Sequence, residues 1–184
     1  MLTKSTLMAL AAAALGVAAG CERAQTGASD AASTSGGVIP TGLFASLPVD
    51  DAVSVLDAKA SAKQGESVLV RGRIGGSGSP FVDGRAMFTI VDASVLACSD
   101  TPGDGCKTPW DYCCEQPAGI AKHAATVRVN GEDGSTIRAS LKGQGGLREL
   151  STVVVRGTVS QADGAVLVID AEAISVEAPS QVAH

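Results

Sequence analysis

A chain of 184 residues allows one domain with short appendages. With 45% hydrophobic residues but only 3% aromatics, its core must rest on Ala and Val. The formal charge of −5 argues against tight binding to a phosphate backbone, which depends on Lys and Arg. The 22 glycines predict many turns and tight strand bends.

The chain opens with Lys4 and an uncharged apolar run over 7–19, too short to span a membrane comfortably. The run ends in Ala18-Ala19-Gly20 before Cys21. This stretch resembles the bacterial lipoprotein signal, in which a Cys after small residues is acylated and becomes the mature N-terminus. Ala18 stands where Leu is usual. The resemblance implies export, removal of residues 1–20, and a membrane partnership through acyl chains such as palmitate on Cys21. Multiple chains make such anchoring stable. The expected location is the cell envelope, facing the periplasm or the surface. Residues 21–48 read as a flexible tether, because Ala, Ser, Thr and Gly bury too little apolar surface to order themselves. Ile39-Pro40 and Leu47-Pro48 mark the approach to a domain at 49–177.

Within it, 51–63 predicts a short strand or helix, closed by Gly65. Residues 67–74 alternate Val68, Val70 and Ile74 with Leu69, Arg71 and Arg73, the period of a half-buried strand. A Gly/Ser loop at 75–80 and the Asp83-Gly84 turn precede a second strand at 86–91. A Cys-rich insertion follows over 98–123. Strands at 124–130 and 135–140 flank Gly131-Glu132-Asp133-Gly134 as a predicted hairpin. After a break at 143–146, strands at 151–160 and 165–176 are joined by Asp163-Gly164, and 178–184 is a frayed tail.

Val68-Leu69-Val70-Arg71-Gly72-Arg73-Ile74 echoes Val153-Val154-Val155-Arg156-Gly157-Thr158-Val159. A Gly inside a strand marks a bend or a close backbone approach, and small closed barrels need both. The pattern resembles an OB-fold: an all-β, Greek-key barrel, here with a Cys-rich inserted loop. The likeness covers 51–176 and extends to uncharacterised bacterial exported proteins of the tRNA/helicase-type OB superfamily. It rests on Gly72-Arg73-Ile74-Gly75-Gly76, Pro80-Phe81-Val82, Phe88-Thr89-Ile90-Val91-Asp92 and Thr108-Pro109-Trp110-Asp111-Tyr112-Cys113-Cys114. The superfamily implies nucleic-acid binding by ancestry alone, since fold does not fix function.

The insertion concentrates the candidate chemistry. Cys98, Cys106, Cys113 and Cys114 are an even set in an exported chain, which reads as disulfides. A bond between adjacent Cys113 and Cys114 is strained, so the preferred pairings join Cys98 and Cys106 each to one of them. Each bridge is worth on the order of 2–4 kcal/mol. The alternative is a zinc or copper site made by these four thiolates with His123. A redox pair is a third reading, although Cys-Cys lacks Cys-x-x-Cys geometry. Asp100, Asp104, Asp111 and Glu115 suit Ca²⁺ less well than they suit a solvated acidic loop.

Trp110 and Tyr112 offer a stacking platform for a base or sugar, or else a local core over the sulfurs. Arg71, Arg73 and Arg156, with Arg128 and Arg138, fall on the outward strand phase. They are either a polyanion-binding stripe or a solvated face paired to Asp and Glu. No catalytic elbow, metalloprotease motif or phosphate loop is present in the sequence. The sequence therefore predicts a non-enzymatic binding module without a cofactor, whose ligand is a protein, a glycan or a small molecule. A metal or redox protein is the alternative, and single-stranded nucleic acid is disfavoured.

Overall fold

The computed structural model describes residues 37–177. The expected leader, lipidation at Cys21, tether residues 21–36 and tail 178–184 lie outside them. Among the described residues no helix is long and apolar enough to cross a membrane.

The elements are β1 (Val53–Ser54), α1 (Val55–Ser61), β2 (Ser67–Ile74), β3 (Met87–Val91), α2 (Pro117–His123), β4 (Ala124–Arg128), β5 (Thr152–Ala162) and β6 (Leu167–Val176). The strands β2-β3-β4-β6-β5 form a ring that closes where β5 pairs back onto β2. The closing ladder runs antiparallel from Ser67↔Thr158 to Arg73↔Thr152. β4 and β6 pair in parallel, as do β1 and β2. The result is a small closed β-barrel with few helices.

Side-chain alternation fills it. Val70 and Ile74 from β2, Phe88 and Ile90 from β3, Val127 from β4, Val153, Val155 and Val159 from β5, and Ile169 and Ile174 from β6 are buried together. Their branched side chains suit a pleated, tightly curved wall. Gly157 is the clearest corner: a Cβ there would lie 2.2 Å from the Asp170 carbonyl oxygen. The β5–β6 register shifts beside it, between Arg156 and Gly157. Only a residue without a side chain lets the strands approach so closely.

Two expectations differ from the structure. Residues 135–140 form no strand; they make one bridge, Asn130↔Thr136, and bury Ile137 against the core. The tether ends earlier than 48. Leu43 is buried in the main core, and the chain from there hydrogen-bonds to Ile174 through its N–H and its carbonyl. Leu47 then covers Val154 and Ala173 on the outer wall. The apolar residues of this approach therefore find cover, which the composition of 22–37 alone did not offer.

Candidate functional site in the cysteine loop

The chain leaves the barrel at the end of β3 and returns at the start of β4. The last rung is Val91↔Ala124, and the Asp92 N–H donates to the His123 carbonyl just beyond it. Everything between hangs on one side of the barrel wall. It carries short 3₁₀ turns at Cys98–Asp100 and Pro109–Asp111 and then α2. Pro117 starts α2 at a position where no backbone donor is needed.

The loop has its own small core of Ala97, Tyr112 and Ile120 on Val91 of the barrel, with Val95, Ala124 and Leu150 packed around it. Tyr112 is only 1% exposed. Its backbone is left-handed, at φ 57°, a conformation that costs a bulky residue energy unless packing enforces it. The packing here is unusually close. The Gly76 N–H donates to the Trp110 carbonyl. A Cβ on Gly75 would lie 2.7 Å from that same oxygen and 2.7 Å from Tyr112 Cε2. Trp110 is half-buried, and its Nε1 donates to the Gly78 carbonyl at 3.1 Å. The aromatic pair thus clamps the loop to the Gly-Gly turn that follows β2.

Polar contacts add to the clamp. Arg73 forms a two-pronged ion pair with Asp100, and Asp100 also accepts from the Ala97 N–H. The Arg73 hydrogen bonds hold the Asp100 carboxyl below its ordinary range. The Tyr112 hydroxyl is buried without a hydrogen-bond partner among the described residues. Burial pushes its pKa up, against the pull of the nearby Arg73 charge. On α1, Lys59 Nζ donates to the carbonyls of Ala121, Ala124 and Ala165, fastening the C-terminal end of α2. Burial lowers the Lys59 pKa, opposed by Asp163.

On this platform the four loop cysteines converge. Cys98 Sγ lies 3.4 Å from Cys113 Sγ, and Cys106 Sγ lies 3.5 Å from the same atom. Donor atoms of Cys98, Cys106, Cys113 and Asp111 all lie within 4.8 Å of one another. A second group shares Cys98 and adds Asp104 and Cys114. Among the described residues no S–S bond joins any pair. Cys98 is buried, Cys106 half-buried, and Cys113 and Cys114 are exposed. Burial works against a Cys98 thiolate, but hydrogen bonds from Cys113 and Cys114 outweigh it and hold that thiol below its ordinary value. The same bonds push Cys113 and Cys114 up. Asp111 and Asp104 also shape the loop, accepting from the N–H groups of Cys113 and Cys106.

Comparison with protein-family models, curated proteins and solved structures finds no match to this chain.

The other sequence candidates sit elsewhere. His123 is apart from the sulfurs, with Nδ1 2.9 Å from the Gly119 carbonyl. The outward arginines are mostly paired: Arg71 with Glu177, Arg73 with Asp100, and Arg128 with its cross-strand neighbour Asp170. Arg156 and Arg138 are exposed. A cleft of about 470 Å³ borders the cluster, lined in part by Gly76, Asp111, Cys113, Glu115, Pro117 and Ile120. The sequence puts Asp111 among the loop's acids without joining it to the thiols, and gives no sign that Asp92 is the buried acid that fixes the loop's exit beyond its place as an acidic residue ending an apolar strand.

Proposed function

We propose that this chain is a non-catalytic binding module whose ligand is a thiophilic metal ion, held at Cys98, Cys106 and Cys113 with Asp111 as the fourth donor. The observation that carries this reading is the convergence of three sulfurs and one carboxylate within 4.8 Å. Zn–S bonds of about 2.3 Å set tetrahedral thiolates roughly 3.8 Å apart. The sulfur separations of 3.4 and 3.5 Å need little adjustment to reach that edge. Three sulfurs and one oxygen suit Zn²⁺, and the three sulfurs alone suit Cu⁺. The low-lying ionisation of Cys98 favours the charged form a metal requires. His123 is not part of this set.

The barrel beneath it we read as an OB-type barrel. Support comes from its five-stranded closure, from β2 pairing on both sides, from the mid-strand glycines Gly72 and Gly157, and from the final β5–β6 hairpin. Envelope anchoring through Cys21 rests on the leader sequence. Nucleic acid is disfavoured as a ligand, because three outward arginines are already neutralised by carboxylates.

The test is a titration of the reduced, oxygen-free chain with Zn²⁺ and with Cu⁺ against a chromophoric chelator. One ion per chain is expected. Cys113→Ser should weaken binding by more than the roughly 10–100-fold typical of outer-shell changes, while His123→Ala leaves it unaltered. A metal-free chain whose mass is lower by the hydrogens of two bridges, with no affinity for either ion, would overturn the reading in favour of structural disulfides.

A further inference from the structure

Cys113 is the shared neighbour of the cluster. Its Sγ touches both Cys98 at 3.4 Å and Cys106 at 3.5 Å, yet a sulfur forms one S–S bond at a time. The two partners differ in access, since Cys98 is 2% exposed and Cys113 lies on the surface. Of this pair an external reagent therefore meets Cys113 first, and Cys98 reacts from within. Cys113 also opens onto the cleft whose walls include Gly76, Pro117 and Ile120, which gives room for the body of a small molecule next to the sulfur.

We propose that Cys113 and Cys98 form a thiol–disulfide exchange site, with low-molecular-weight disulfides as substrate, Cys113 as the entry sulfur and Cys98 as the resolving sulfur. In the first step Cys113 Sγ passes its proton to the Cys98 sulfur 3.4 Å away and attacks one sulfur of R–S–S–R. The S–S bond of the reagent breaks, R–S⁻ leaves and takes a proton from solvent, and a mixed disulfide stands on Cys113. In the second step Cys98 releases its proton to solvent and attacks Cys113 Sγ, the second R–S⁻ leaves and takes a proton from solvent, and a Cys98–Cys113 bridge closes. Two protein thiols are oxidised and one external disulfide is reduced to two thiols. Both steps are reversible by the same route, so the site tracks the thiol–disulfide balance around it.

The exchange uses the sulfurs assigned above to the metal. Its regulatory corollary, that bridge formation ejects the ion, rests on that reading. Each state excludes the other, because a bridged sulfur is no longer a thiolate ligand.

The experiment uses glutathione disulfide as the probe on the full reduced chain, followed by acid quenching, intact mass and peptide mapping. The expected product is a Cys98–Cys113 bridge with no lasting glutathione adduct. Cys98→Ser combined with Cys106→Ser should instead trap one glutathione on Cys113. Cys113→Ser, a change at an exposed position, should block bridging at Cys98 altogether. Oxidation that joins Cys98 to Cys106 or Cys114 at the wild-type rate in Cys113→Ser would overturn the proposal. A parallel run on Zn²⁺-loaded chain should show slower oxidation and release of the ion as the bridge forms. A chain that binds no Zn²⁺ but still forms the Cys98–Cys113 bridge sinks the metal reading alone. One that binds Zn²⁺ and forms no such bridge sinks the exchange alone.

Discussion

Gly75 has no room for a side chain. The Trp110 carbonyl and the Tyr112 ring stand 2.7 Å from where its Cβ would be, and neither can retreat without lifting the loop from the barrel. Gly75→Ala is therefore expected to destabilise the chain by about 1–3 kcal/mol, the usual cost of overpacking. It should also disturb Trp110, the only tryptophan. A lower denaturant midpoint together with a shifted tryptophan emission is the expected result. A shift in midpoint with unchanged emission would place the strain elsewhere. The sequence presents Gly75 and Gly76 as loop residues and Trp110 and Tyr112 as a platform or a local core, with nothing that joins the two. Chain separation hides such contacts, and a Gly required by a neighbour's bulk looks like a Gly required by a turn.

Between elements, Asp92 is the tie that matters most. Its carboxylate accepts from the Leu56 N–H near the start of α1, and from both the N–H and the hydroxyl of Ser94. One buried side chain thus fixes the end of β3, the start of α1 and the loop's exit. Burial opposes its charge, but these hydrogen bonds prevail, and its pKa lies below the ordinary aspartate value of 3.8. The unfolded chain therefore holds on to this proton more readily than the folded one. The stability Asp92 contributes is complete above the ordinary value and is lost as pH falls through the folded value. Asp92→Asn should flatten the acid limb of the stability curve below about pH 4. Urea midpoints measured across that range check this, and an unchanged limb would assign the acid sensitivity to other carboxylates.

At this scale the strands were the legible part. β2 runs over Ser67–Ile74 as its alternation predicts, since each of its faces meets a different environment. The limits show where that symmetry fails. Val154 and Ala173 point outward yet are buried, because Leu47 lies over them. Helix α2 is not legible in the sequence, because seven residues with one buried side chain, Ile120, leave no periodic trace.

For the whole molecule, the barrel closes without a strand from the loop. The ladders that close the ring run through β2, β5 and β6, and none of their rungs involves the segment between β3 and β4. Replacing residues 93–122 by an Asn-Gly turn would join Asp92 to His123 across an existing hydrogen bond, in the geometry a tight hairpin prefers. The expected product is a cooperatively unfolding barrel, less stable for the exposure of Val91 and Leu150, without the proposed metal affinity or thiol exchange. Circular dichroism with a denaturant titration tests it; a chain with no cooperative transition would show that the loop is part of the fold's foundation. The meeting of both loop ends at one rung has a historical consequence as well. A lineage can gain or shed the cysteine cassette in a single insertion or deletion without rewriting another strand. Descent of the barrel and possession of the four loop cysteines are then inherited independently, and a sibling chain with a short turn there would share the first while lacking the second.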